Sequence, residues 1–121
     1  MANTFKVATF AAEPASAGTP YVMYTIAGST TGVVLGLILT NIHSSAVTAE
    51  VELVSTTANR SFANNTANGT SFLVKDVTIP AGSSLELLSG GKVVLETGDV
   101  IRVDCSVADK LSGTLSLMEI T

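Results

Sequence analysis

The chain has 121 residues, of which 46% are hydrophobic and only 13% are charged, and its formal net charge is −4. This length accommodates one domain with a single core and leaves no room for a second. The six lysines and arginines are scattered along the chain, which argues against a nucleic-acid partner, and no apolar run approaches the roughly 20 residues of a membrane-spanning helix.

The N-terminal segment, residues 1–19, permits two interpretations. It contains a candidate strand over 4–10, followed by a linker rich in Ala, Ser, Gly and Pro. It either forms a first strand or extends from the domain as an arm that pairs with a neighbouring subunit. We expect an extended N-terminal arm here and a folded domain over 20–121. No basic region is followed by an apolar block, so a signal peptide is not expected.

Side chains alternate between apolar and polar along most of the remaining segments, and this two-residue period is typical of half-buried strands. The alternation is clearest over 46–56 and 99–107, where acids and Arg102 take the outer positions. The segment 32–43 is apolar at almost every position and therefore predicts a central strand with both faces covered. Strict alternation puts Val33, Leu35, Leu37 and Leu39 on one face of that strand and Val34, Ile38 and Thr40 on the other.

Turn-forming residues separate these segments at short intervals, among them Pro80-Ala81-Gly82 and Gly98-Asp99. The predicted strands are 4–10, 20–27, 32–43, 46–56, 70–79, 84–88, 92–96, 99–107 and 111–120. Many short strands joined by such turns indicate an all-β fold. We expect a single-domain antiparallel β-sandwich, either a jelly roll or immunoglobulin-like.

One long polar loop, Thr56 to Thr70, interrupts the strands, and Phe62 lies near its middle. Long loops in compact domains are often functional. Three Asn-x-Ser/Thr triplets begin at Asn59, Asn64 and Asn68, and we interpret them as a consequence of the loop's composition. The loop is a candidate contact for a surface glycan or for a neighbouring subunit.

The residues that could support catalysis or bind a metal are few. His43 is the single histidine and is expected to lie in a turn, and Cys105 is the single cysteine and has the parity of a core residue. The late acids Glu96, Asp99, Asp104 and Asp109 lack the alternate spacing of a calcium loop. No catalytic residue, metal ligand or cofactor is therefore predicted, and the chain is not expected to be an enzyme.

The second half of the chain has a recognisable series of strands and turns. It runs from Leu73 through Ile79-Pro80-Ala81-Gly82 to Leu88, continues from Lys92 through Gly98-Asp99 to Val103, and ends with Leu115-Ser116-Leu117-Met118-Glu119-Ile120. Together with Leu39-Thr40-Asn41-Ile42 and the strand after it, this series resembles small virion structural proteins of tailed bacteriophages, notably marine cyanophages. The resemblance covers roughly residues 20–121.

The resemblance implies a component of the virion that acts by assembly, most naturally as a capsid decoration or cement protein or as a head or tail accessory protein. Its partners would be further copies of itself, for example in a trimer, and other virion proteins such as the major capsid or tail proteins. The alternative is a carbohydrate- or receptor-binding module of a tail fibre or neck appendage. The residues predicted to contact other subunits are Phe5, Val7, Phe10, Pro20, Tyr21, Arg60, Phe62, Asn64 and Asn65.

Overall fold

Nine β-strands form the fold of the described part of the chain. The computed structural model describes residues 2–55, 69–88 and 91–121, and those residues contain no helix. The strands are β1 (Asn3–Glu13), β2 (Tyr21–Thr25), β3 (Thr31–Asn41), β4 (Val47–Val54), β5 (Thr70–Ile79), β6 (Ser84–Leu87), β7 (Val93–Leu95), β8 (Val100–Cys105) and β9 (Leu111–Ile120). Each overlaps one predicted segment, so the all-β prediction is confirmed.

The strands pair into two antiparallel sheets. The first has the order β1-β9-β3-β6, with β7 also paired to β3, and the second has the order β2-β8-β4-β5. β6 pairs with β3 at Leu37 to Thr40 and β7 pairs with it at Gly32 to Val34, so the two short strands share one position in the sheet. Counted that way, the order of the two four-stranded sheets is that of a jelly roll, one of the two predicted sandwich types.

The core lies between the sheets because alternate residues of each strand point inward. β9 shows this most plainly, since Leu111, Gly113, Leu115 and Leu117 are buried and the alternate residues Ser112, Thr114 and Ser116 are at least partly exposed. The second sheet contributes a matching apolar layer. Its fully buried members include Ala49, Val51, Ile79, Ile101 and Val103.

The extended N-terminal arm is not confirmed. β1 pairs with β9 of the same chain from Asn3 to Phe10. Backbone hydrogen bonds between Ala2 and Thr121 continue the ladder to the chain ends. Phe10 lies opposite Gly113 and is only 8% exposed, because the glycine leaves room for its ring inside the sandwich. The N-terminal segment is therefore an edge strand of the first sheet.

The strict alternation predicted for β3 is wrong, because the strand contains a β-bulge. The pairing with β9 shifts between Val34 and Gly36, so Leu35 is the extra residue. Val34 and Leu37 consequently both point into the core. β3 is a central strand as predicted, but its outer side is not covered by the described part of the chain, since Ile38 is 42% exposed.

Asn41 ties together the loops at one end of the sandwich. Its side chain is completely buried and donates hydrogen bonds to the carbonyl oxygens of Ser45 and Ile79, both at 2.9 Å. Its Oδ1 accepts a hydrogen bond from the backbone N–H of His43 at 2.7 Å. One amide thus fixes the β3–β4 turn and the end of β5, which is why a polar side chain is stable at this position.

Candidate protein interface

The outer side of the first sheet carries a continuous row of apolar side chains. Met118 of β9 lies directly opposite Phe5 of β1 on one side and Val33 of β3 on the other, and Val33 in turn lies opposite Val94 of β7. Residues directly opposite in neighbouring strands have their side chains on the same side of the sheet. The row therefore crosses every strand position of the sheet.

Several side chains on this side of the sheet are unusually exposed for their type, whereas Val33 and Met118 are half-buried. Phe5 is 73% exposed, Val7 64% and Val94 61%. Single apolar residues are common on protein surfaces, but contiguous groups of them mark places where another molecule binds. We call the group formed by Phe5, Val7, Val33, Leu35, Ile38, Val94 and Met118 the apolar face.

The apolar face has a shallow depression near its centre. It is lined by Phe5, Lys6 and Val7 of β1, Leu35 of the β3 bulge, and Ser116 and Leu117 of β9, and it encloses about 330 Å³. The bulge contributes to this shape because it turns an extra large side chain toward the depression. A protruding side chain of a partner could occupy this space.

Charged groups are scarce on the outer side of the first sheet. The polar positions there are Asn3, Thr9, Thr31, Thr40, Ser84, Glu86, Ser112, Thr114 and Ser116. Glu86 is the one charged residue among them, and it lies at the margin, on β6. Covering the apolar face would therefore require little desolvation of charge, which is the main cost of burying polar surface.

Lys6, although it belongs to β1, points to the inner side and is held there by Glu119. Its Nζ lies 2.7 Å from Oε1 of Glu119, and the hydroxyl of Tyr24 in the second sheet donates a 2.6 Å hydrogen bond to Oε2 of the same carboxylate. The hydrogen bonds from Lys6 and then Tyr24 lower the pKa of Glu119 below its ordinary value. Burial, followed by the hydrogen bond to Glu119, raises the pKa of Tyr24. This cluster joins the two sheets at the β1/β2 edge.

The outer side of the second sheet is charged. Glu50 lies opposite Asp104, and Glu52 lies opposite Arg102. Lys75 of β5 lies 2.7 Å from Glu50 and stacks over the ring of Phe72, and the hydrogen bond to Glu50 raises the pKa of this lysine. We call the group formed by Glu50, Glu52, Phe72, Lys75, Arg102 and Asp104 the charged face.

The Glu52–Arg102 ion pair is the most buried part of the charged face. Glu52 is 7% exposed, and its Oε2 accepts hydrogen bonds from both Nε and Nη2 of Arg102. A guanidinium that donates twice to one carboxylate fixes both side chains. The two faces of the sandwich thus differ, since the outer side of the second sheet presents ion pairs beside exposed Val22 and Phe72, whereas apolar side chains predominate in the row that crosses the first sheet.

The predicted subunit contacts fall into three groups. Phe5 and Val7 belong to the apolar face. Phe10 and Tyr21 pack against each other inside the chain, with ring centroids 5.1 Å apart, and Pro20 is half-buried beside them. Arg60, Phe62, Asn64 and Asn65 lie outside the described residues, as does most of the loop from Thr56 to Thr70 proposed to bind a glycan.

His43 and Cys105 occupy the positions predicted for them. His43 follows β3 in the turn held by Asn41, and its backbone N–H rather than its ring makes the observed bond. Cys105 is 3% exposed, ends β8 and packs in the core.

The acidic residues are engaged in local structure. Asp99 is buried and accepts a hydrogen bond from the N–H of Glu96, closing the turn before β8. Asp104 lines a cavity of about 210 Å³ with Glu50 and Asp76, but its Oδ1 already accepts hydrogen bonds from Gly18 and Cys105. Within residues 2–55, 69–88 and 91–121, no group of three His, Cys, Asp or Glu residues is placed to hold a metal ion.

Several residues of the apolar face were missed by the sequence analysis, notably Val33, Val94 and Met118. Val33 and Val94 lie in strongly apolar segments in which the inner and outer positions are equally hydrophobic. Val94 is adjacent to Leu95 and Met118 is adjacent to Leu117. Because both leucines are buried, the alternation along the strands puts Val94 and Met118 on the outer side of the sheet. That parity becomes informative only once the inward positions are known.

No protein-family model matches the chain, and no curated protein matches it significantly. The similarity to virion proteins of tailed bacteriophages therefore stays a prediction. In the part of the chain that the structure describes, no helix is long and apolar enough to cross a membrane.

Proposed function

We propose that the chain is a non-enzymatic virion structural protein of a tailed bacteriophage, a decoration or accessory component that works by covering its apolar face with another protein surface. The observation that carries this proposal is the separation of charge between the two sides of the sandwich. The fold is compatible with it, since jelly rolls are common among capsid proteins and lectins, but a fold alone does not specify a function.

The apolar face has the anatomy of the centre of a protein interface. Interface centres are rich in aromatic residues and Met and poor in charge, and the apolar face contains Phe5 and Met118 with aliphatic neighbours. Glu86, the one charged residue among the outward-facing strand positions described above, lies at the margin, where interfaces keep their polar rim.

The charged face, on the outer side of the second sheet, also favours this interpretation. Its ion pairs are satisfied within the chain, as Glu50 binds Lys75 and Glu52 binds Arg102. A surface whose charges are already paired and hydrated gains little by being buried. The charged face is therefore suited to remain in solvent when the apolar face is covered.

The proposal is tested by following incorporation of the chain into particles of the phage that encodes it. Val94→Lys places a charge at the β7 end of the apolar row and should reduce the amount of the chain per particle at least tenfold, measured by quantitative mass spectrometry of purified virions. Val22→Lys is the matched control, because Val22 is an exposed valine (49%) on the outer side of the second sheet.

The control should be incorporated at the wild-type level. The proposal is wrong if the wild-type chain is absent from purified virions, or if both variants enter particles as efficiently as the wild type. Binding of the purified chain to a glycan array, with unimpaired binding by Val94→Lys, would instead favour the alternative of a carbohydrate-binding module.

A further inference from the structure

We propose that the surface covering the apolar face is the apolar face of a second copy of the same chain, related to the first by a two-fold axis. This inference rests on the proposed function, because it names the partner of the same surface. Three features of the described residues support it: the charge distribution, the dimensions of the sheet, and the symmetry that one self-complementary surface imposes.

Only the apolar face can pack against the same face of a second copy without bringing many like charges together. On the charged face Glu50, Glu52 and Asp104 outnumber their cationic neighbours Lys75 and Arg102. Two copies meeting through that face would bring acids together, and like charges at an interface are strongly unfavourable. Among the described strand positions on the outer side of the first sheet, Glu86 is the one charged residue and lies at the margin, so two copies can meet there with little such repulsion.

Packing through the apolar faces also keeps the remaining charges far apart. Two sandwiches packed in this way form four stacked sheets, each about 10 Å from the next. The two charged faces then lie about 30 Å apart, well beyond the Debye length of about 8 Å in physiological salt. The net charge of −4 on each copy therefore opposes this association only weakly.

The dimensions of the first sheet are close to what a stable dimer needs. Four strand positions about 4.8 Å apart and five outward-facing rows about 6.7 Å apart give a projected area of roughly 600 Å². Exposed side chains such as Phe5 and Val7 increase the accessible area above the projected value. A standard interface buries about 800 Å² on each partner.

Symmetry then determines the number of copies. A surface that packs against the same surface of another copy forms an isologous contact, which is closed once two copies have met. A trimer would need two different contact surfaces on each chain. The expected species in solution is therefore a dimer. A dimer agrees with the homo-oligomer expected from the sequence but not with a trimer.

The test is the molar mass of the full chain, measured by sedimentation equilibrium from about 1 to 100 µM. The wild type should reach twice the chain mass of 12.3 kDa. Val94→Lys places two ammonium groups in the dimer contact and should raise the dissociation constant at least 100-fold, leaving a 12.3 kDa species. Val22→Lys, on the charged side, should remain dimeric.

A second pair of variants shows whether Val94→Lys acts through the dimer contact or through a folding defect of the short strand β7. Phe5→Lys changes the other side of the apolar face, on β1, and should also give a monomer. Phe72→Lys, at an exposed phenylalanine (45%) of the charged face, should leave the dimer intact. Each variant is accepted only if its far-ultraviolet circular dichroism and urea midpoint show a folded domain.

A wild type that is monomeric at 100 µM or trimeric would overturn the inference, and so would folded Val94→Lys and Phe5→Lys variants that both remain dimeric. The dimer and the virion role fail under different results. If the wild type is monomeric but Val94→Lys still fails to enter virions, the partner is not a second copy and the virion role stands. If the wild type is dimeric in solution but absent from virions, the second copy stands and the virion role is wrong.

Discussion

Phe10 decides whether the N-terminal segment is an integral strand or a detachable arm, and its replacement by alanine is the most informative perturbation of the fold. The ring is 8% exposed and lies over Gly113, so that a Cβ on that glycine would stand only 2.3 Å from Cε2 of Phe10. It also packs against Tyr21 of the second sheet at 5.1 Å between centroids. Phe10→Ala would leave a cavity between the sheets.

Removal of a buried phenylalanine costs about 3–5 kcal/mol. The free energy of unfolding of a domain is about 5–15 kcal/mol, so the variant should lose a large fraction of it. With a slope of about 2 kcal/mol per molar urea, a loss of 4 kcal/mol lowers the urea midpoint by about 2 M. The midpoint is measured by circular dichroism at two protein concentrations, which separates folding from association.

Phe5→Ala is the control in the same strand. Phe5 is 73% exposed, so its loss should change the free energy of unfolding by less than about 1 kcal/mol once the midpoint is independent of concentration. A Phe10→Ala midpoint within 0.5 M of the wild type, or equal effects of the two substitutions, would refute the assignment of β1 to the core and restore the extended arm.

Three further substitutions test the fold and its response to pH. Asn41→Ala leaves the buried carbonyl of Ile79 without its donor and should lower the free energy of unfolding by about 2–4 kcal/mol in urea titration, and a loss below 1 kcal/mol would contradict the role of this amide. Gly113→Ala should cost about 1–3 kcal/mol because the Phe10 ring must move, and wild-type stability in the same titration would mean that the ring is not there. The lowered pKa of Glu119 stabilises the fold above its unfolded value near 4.5, and this contribution is lost as the pH falls through the lower folded value. Urea midpoints from pH 6 to pH 3 should therefore fall more steeply for the wild type than for Glu119→Gln, and parallel curves would exclude the Lys6–Glu119–Tyr24 cluster as the cause.

β1 carries apolar residues on both of its sides, and this is why the sequence suggests a segment that another chain covers. Its sequence has apolar residues at both parities, Phe5 and Val7 on one side and Ala8 and Phe10 on the other. Such a strand can be covered on both sides, and an oligomer of two chains would do this without removing β1 from its own sheet. The N-terminal segment would then contribute to assembly as part of a face rather than as an extension.

The candidate interface could be predicted only in part. Phe5 and Val7 were predicted as subunit contacts because they belong to the segment expected to form an arm, and both lie on the apolar face. Val33 and Met118 were not recognised, since the sequence offers no way to know that they meet Phe5 in one row. That row depends on the register of three strands far apart in the chain.

The sequence by itself determined the strands, the turns between them and the all-β class, because a two-residue period and turn-forming residues are local properties of the chain. It also indicated that Glu50, Glu52, Arg102 and Asp104 occupy outer positions. Only the tertiary structure decided the jelly-roll strand order, the bulge at Leu35, and which apolar side of each strand is buried. The physical reason is that alternation tells which residues share a side, whereas long-range pairing tells which side faces the core. Phe5 and Phe10 have opposite parity in the same strand, and the pairing with β9 puts Phe5 opposite Met118 outside and Phe10 opposite Gly113 within.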